Sequence, residues 1–129
     1  MNPNHDDRPA FDASAVLALM QGETGADKLR DLQPDAVVNA VNAAEVLAKL
    51  VSRGMPAAQA QAAYDALHLE TTAFEPAMAA ISVRYVHQGV SLGDRCFLAA
   101  TSRHGSGWTS DHDLGAIFGN GLPGLRFFR

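Results

Sequence analysis

The chain has 129 residues, 47% of them hydrophobic and 19% charged, which suits one domain with its own core and excludes a disordered segment. One cysteine, Cys96, excludes an internal disulfide and a multi-cysteine zinc site. A formal net charge of −4 argues against a generally basic nucleic-acid binder, so any contact with RNA or DNA must come from a local patch. Met1 to Arg8 is polar, read as a loose terminus of a single domain spanning 1–129, and lacks the apolar centre of a signal peptide. No apolar run approaches a membrane span, so a cytoplasmic protein without membrane contact is the expectation.

Asp12 opens an apolar stretch that predicts a helix from Ala13 to Met20, and a short helix spans Ala26 to Leu32. Pro34-Asp35 breaks that pattern. Ala36 to Val41 predicts a buried strand, followed by a helix from Asn42 to Ser52 that Gly54 stops. Pro56 starts an Ala-rich helix to Leu67, and Leu69 to Phe74 predicts another strand. Pro76 opens a helix carrying Met78, Ile81 and Tyr85 at helical spacing, and Ser91 caps one reaching Arg103. Trp108-Thr109 ends a short strand, and Leu125 to Phe128 forms the last. Strands alternating with helices point to an α/β fold around a mainly parallel sheet.

Several motif spellings fail on their chemistry. Gly119 to Gly124 spells G-x-G-x-x-G but opens no helix and contains Pro123, so it reads as a glycine turn rather than a dinucleotide site. Asp111-x-Asp113-x-Gly115 starts like a calcium loop, yet Leu122 stands where the bidentate Glu is needed. Cys96 lies among apolar helix neighbours and reads as an inert buried thiol. His5, His68, His87, His104 and His112 have no zinc-ligand spacing.

Carboxylates remain. Asp12 suits a helix N-cap, and equally an acid at the C-terminal end of a parallel strand. Ser91 to Asp94 spells a capping box, yet on a helical wheel Asp94 shares its face with Phe97, Leu98 and Thr101. Asn42, Glu45 and Lys49 line a polar stripe opposite Val46, Leu47, Leu50 and Val51, facing either water or a pocket. Ser110 to Asp113 spells another capping box, beside Asp111. Asp12, Asp94 and Asp111 fall at strand-to-helix or helix-start junctions, which gather along one edge of a parallel sheet. Unit charges about 5 Å apart repel by about 3 kcal/mol at an effective dielectric near 20, so such a cluster calls for protonation, separation or a divalent cation. Hard oxygen donors favour Mg²⁺ or Mn²⁺, whose natural chemistry is phosphodiester hydrolysis.

These residues resemble the PIN-domain nucleases, in particular the VapC-type toxins of bacterial toxin–antitoxin pairs. Phe11-Asp12-Ala13-Ser14-Ala15 looks like their first motif, and Asn39 to Val46 resembles the second, with its helix-borne Glu45. Gly89-Val90-Ser91-Leu92-Gly93-Asp94-Arg95-Cys96 is the most specific match, and Thr109-Ser110-Asp111 is similar to the family's T-x-D. The order holds from Phe11 to Asp113.

The resemblance implies a three-layer α/β/α sandwich and a Mg²⁺- or Mn²⁺-dependent endoribonuclease, with a homodimer and a VapB-like antitoxin as partners. It implies Asp12, Glu45, Asp94 and Asp111 as metal-binding carboxylates and Ser14 as a supporting hydroxyl. The alternative is a catalytically degenerate relative acting as a partner-binding module, and a third is a DNA-cleaving relative. Two stretches depart from the family's apolar strands: His5 to Ala10 with its Pro9, and His104 to Trp108. Lys49, Arg53, Arg84, Arg95 and Arg103 are the candidate phosphate contacts.

Overall fold

The computed structural model describes residues 6–129. The strands are β1 (Pro9–Phe11), β2 (Val37–Asn39), β3 (Glu70–Thr72), β4 (Ser106–Thr109) and β5 (Leu125–Phe127). The helices are α1 (Ala13–Gln21), α2 (Ala26–Leu32), α3 (Ala40–Ser52), α4 (Ala57–Asp65), α5 (Pro76–Ser82), α6 (Leu92–His104) and α7 (His112–Phe118). Short 3-10 turns at Gln33–Asp35 and Val83–Tyr85 extend α2 and α5. The strands form one sheet in the order β3-β2-β1-β4-β5, with every pair parallel. No described helix is long and apolar enough to cross a membrane.

Successive strand residues face opposite sides of the sheet, and here each side has its own core. Ala10 and Val37 point toward α5, α6 and α7, where Met78, Phe97, Leu98 and Leu114 pack on them. Phe11 and Val38 point the other way, into Val16, Leu29, Val46, Leu50 and Tyr64. Two cores separated by a single sheet make the α/β/α sandwich.

Within the two stretches that depart from the apolar strand pattern, Pro9 and Ala10 lie in β1 and Ser106, Gly107 and Trp108 in β4, at the centre of that sheet, and His5 falls outside the described residues. Pro9 occupies the first position of β1, where a missing ladder donor is tolerated, and all three residues of the strand are buried. Pro9, Ala10 and Phe11 pair with Ser106, Gly107 and Trp108. The polar run before Trp108 has separate causes at His104, Gly105 and Gly107. His104 closes α6, and Gly105 caps it in the left-handed region at φ 97°. Gly107 faces α6 so closely that a Cβ would overlap the Thr101 hydroxyl and press on Phe97. The missing side chain lets the helix sit down on the sheet.

Element boundaries shift for local reasons. The strand expected from Ala36 to Val41 stops at Asn39, because the Asn39 side chain caps α3 and turns Ala40 and Val41 into its first residues. Likewise the strand expected from Leu69 to Phe74 is only Glu70–Thr72. Val51, on the face opposite the polar stripe, is 45% exposed in the last turn. α7 was absent from the expected elements: it is seven residues long, contains Gly115 and buries only Leu114, so it carries no apolar period.

Gly107→Ala should lower stability by about 1–3 kcal/mol, the usual cost of overpacking, read as a lower urea midpoint with an unchanged denaturant slope.

Candidate active site

Helices that connect parallel strands run back across the sheet, so strand C-termini and helix N-termini share one edge. In this strand order the chain winds outward in one direction from β1 and in the other from β4. Such a switch point opens a crevice beyond the ends of the two adjacent strands. Asp12 follows β1 directly, Thr109 ends β4, and Asp111 comes two residues later. Asp94 sits in the first turn of α6, and Glu45 in the second turn of α3.

Asp12 caps α1, with Oδ1 accepting from the Ala15 backbone N–H at 2.9 Å and from the Ser14 hydroxyl at 2.6 Å. Its Oδ2 accepts from the Thr109 hydroxyl at 2.6 Å. Those two hydroxyls also take backbone N–H bonds, Thr109 Oγ1 from Asp111 at 3.0 Å and Ser14 Oγ from Ser110 at 3.2 Å. The ends of the central strands are thereby tied together through one carboxylate. Asp12 keeps some surface but lies deep among protein atoms, and burial pushes its pKa up to about 6. The bonds from Ser14, Thr109 and Ala15 oppose that rise without cancelling it, and the nearby charge of Asp94 adds to it.

A second group ties α3 to α6. Asn39 Oδ1 accepts from the Asn42 backbone at 3.0 Å, and Asn39 Nδ2 donates to Asn42 Oδ1 at 2.5 Å. Asn42, 1% exposed, donates from Nδ2 to Glu45 Oε1 at 2.7 Å and to the Gly93 carbonyl at 3.1 Å. The Glu45 carboxylate lies against Gly93, where any Cβ would overlap it. Glycine immediately before Asp94 leaves the space that this carboxylate occupies. Ser91 and Asp94 form the expected capping box, with Asp94 Oδ2 accepting from the Ser91 N–H at 3.0 Å.

The box expected over Ser110 to Asp113 does not form. Asp111 is itself the N-cap of α7, and its Oδ1 accepts from the Asp113 N–H at 3.0 Å. Asp12, Ser14, Thr109 and Asp111 therefore belong to one hydrogen-bonded knot, and Glu45 and Asp94 belong to the α3–α6 contact beside it. Among the described residues no three His, Cys, Asp or Glu side chains are grouped closely enough to make a finished metal cage. Asp94 and Glu45 each spend an oxygen on a local bond, as does Asp111. The acids line one edge without closing on a single point.

Thr109 and Asn42 had no role assigned from sequence. Their signals are short-range: a hydroxyl two residues before Asp111, and an amide one helical turn before Glu45. Cys96 is buried, and burial raises its thiol pKa, with Glu45 adding and Arg95 opposing. Gly119 to Gly124 is a turn leading into β5, as expected. Of the histidines, His104 is buried and bonded to Asp6 at 2.6 Å, while His5 lies outside the described residues.

The fold and this edge define an α/β sandwich with acidic side chains at a sheet switch point. Residues 10–117 match the model of the PIN domain, and the chain belongs to that family. Two solved structures share its fold. One is a chain in the crystal structure of VapBC2 from Rickettsia felis bound to a DNA fragment from their promoter. That chain has a TM-score of 0.66 and 12% identity, with 92% of this chain and 96% of that chain covered. The other is PAE2754 from Pyrobaculum aerophilum, with a TM-score of 0.64, 18% identity, and 98% and 88% coverage. No curated protein matches the chain in sequence.

The raised pKa of Asp12 sets a pH dependence. In metal-free buffer the folded chain holds a proton up to about pH 6 that the unfolded chain releases near 3.8. Stability from this group is therefore complete below the lower value and falls as pH rises through the upper one. Asp12→Asn keeps a good N-cap and cannot ionise. Its melting temperature should fall less than the wild type's between about pH 4 and pH 7, by a difference on the order of 5 °C in thermal scans.

Proposed function

We propose that this PIN-domain protein is a Mg²⁺- or Mn²⁺-dependent endoribonuclease and the toxin of a type II toxin–antitoxin pair. The observation that carries this reading is Asp12: a carboxylate sunk at the switch point and raised further by Asp94 is a group that a dication would relieve. The donor set is entirely hard oxygen, which suits Mg²⁺ or Mn²⁺ and not a soft metal. Asp12, Glu45, Asp94 and Asp111 would hold the ion. When bound, the ion lowers the pKa of water and neutralises charge on a phosphate.

The chain's own residues do the rest. Ser14 and Thr109 hold Asp12 in one orientation, so that its oxygens stay at the strand ends. Asn42 holds Glu45 against Gly93, and the capping box fixes Asp94 at the start of α6. These supports keep three of the four acids on one edge without letting them collapse or flee, and Asp111 is fixed by its own cap on α7. The likeness to the VapBC2 chain supports a VapB-like antitoxin as partner, and the reading carries with it a homodimer acting on RNA in the cytoplasm within a single domain.

A second reading rests on the spacing of the acids. That no three of them are grouped as a finished cage favours a catalytically degenerate PIN protein that binds a partner without chemistry.

Purified protein should cleave single-stranded RNA with Mg²⁺ or Mn²⁺ and stop with EDTA, and Asp94→Asn should slow cleavage by about 100-fold while keeping the fold. Wild-type rates from that variant, or cleavage indifferent to EDTA, count against the nuclease. Antitoxin capture with no turnover under any metal selects the degenerate reading. Asn42→Ala, which removes the amide that holds Glu45 and would act on the ion only through that carboxylate, should cost about 10-fold in rate and raise the metal concentration needed for half-maximal activity.

A further inference from the structure

We propose that the groove between α1 and α3 is the track along which the RNA backbone reaches the acidic edge, with Lys49, Arg53 and Arg129 as its phosphate contacts. The proposal rests on the nuclease reading and adds the surface that holds the substrate. Two cavities make the groove. One of about 410 Å³ is bounded by Ala13, Glu45 and Lys49, and one of about 280 Å³ by Ser14, Glu23, Arg53 and Arg129. They share Ala13 and Lys49 in their walls, so they adjoin as neighbouring parts of one trough. It runs from Glu45 past Ser14, the residue that bonds Asp12, to the end of the chain.

Three cationic side chains against two acidic ones, Glu45 and Glu23, line this trough in a chain whose side chains sum to a net charge of −4. Two of them are held in place. Arg129 Nη1 donates to Glu23 at 3.0 Å and to the Thr24 carbonyl at 3.3 Å, with its guanidinium 5.0 Å from the centre of the Phe128 ring. With the Gln21 amide turned to satisfy both its ends, its oxygen accepts from Arg53 at 3.0 Å. Lys49 is exposed one helical turn beyond Glu45. Guanidinium and ammonium groups spaced along a solvent-open trough match a chain of phosphates, which charge-assisted bonds recognise without reading bases.

The other candidate phosphate contacts lie elsewhere. Arg84 borders a separate cavity beside Tyr85 and Phe118, and Arg103 borders one beside His104 and Glu75. Arg95 points its guanidinium at the Val90 carbonyl. Of the five basic residues singled out from sequence, only Lys49 and Arg53 share the groove, and Arg129 joins them.

The test measures fluorescence anisotropy of a labelled single-stranded RNA with the full chain in EDTA, over a series of salt concentrations. The triple variant Lys49→Gln, Arg53→Gln, Arg129→Gln should bind about tenfold more weakly and lose about 2 from the slope of log affinity against log salt. The double variant Arg84→Gln, Arg103→Gln should bind like wild type. Lys49→Gln alone should show a smaller loss in the same direction, which guards against a folding defect in the triple. Equal losses in the double variant would mean net charge alone is responsible and would overturn the groove. So would a triple variant that keeps RNA but loses an oligoglutamate peptide, which would make the trough a site for acidic peptide. Metal-dependent cleavage by a wild-type protein whose triple variant binds RNA normally removes the groove and leaves the nuclease standing. A wild type that neither binds nor cleaves RNA removes both.

Discussion

The carboxylate of Asp12 is the constraint around which the edge of this protein is organised. A charge taken out of water is expensive unless it is met by donors, and a second negative charge nearby makes it more so. The chain answers with three donors on Asp12, from Ser14, Ala15 and Thr109. They leave the group with a pKa of about 6, above that of an ordinary carboxylate. An interior acid raised this way is a poor way to stabilise a fold. Under the proposed reading it is where a dication would be received.

The neighbouring contact between α3 and α6 obeys the same logic with neutral groups. Asn39 and Asn42 are buried, and their amides are spent on each other, on Glu45 and on the Gly93 carbonyl. No buried side-chain nitrogen or oxygen among the described residues is left without a partner. A polar network satisfied in full rigidifies the packing around it, which holds Glu45 at the mouth of the groove. One missing methyl group at Gly93 makes the arrangement sterically possible.

Much of this was legible in the residues. The alternation of helices and strands, the Ser91–Asp94 box, the cap at Asp12 and the inert Cys96 follow from short-range patterns, and each has its expected geometry. The departures are informative. Pro9 and Gly107 weaken a strand when judged by propensity, yet they occupy the middle of the sheet. Pro9 stands where its lost donor matters least, and Gly107 stands where a side chain would not fit. Propensity describes a residue alone, whereas these two are explained by what lies beside them. Asp111 shows the converse: the local box at Ser110 was spelled correctly, but Asp111 took the cap because its own backbone is held by Thr109.

The amino-acid order by itself determined most of the segments that coil or extend, though not α7, and where acids meet helix starts, since those features depend on hydrogen bonds and periodicity within a few residues. Tertiary structure decided that Thr109 would be the partner of Asp12, that Glu45 would rest on Gly93, and that Lys49 and Arg53 would share a trough with Arg129. Such pairings span up to about a hundred positions of chain and depend on strand order and helix depth, which only the packing of two cores against one sheet fixes.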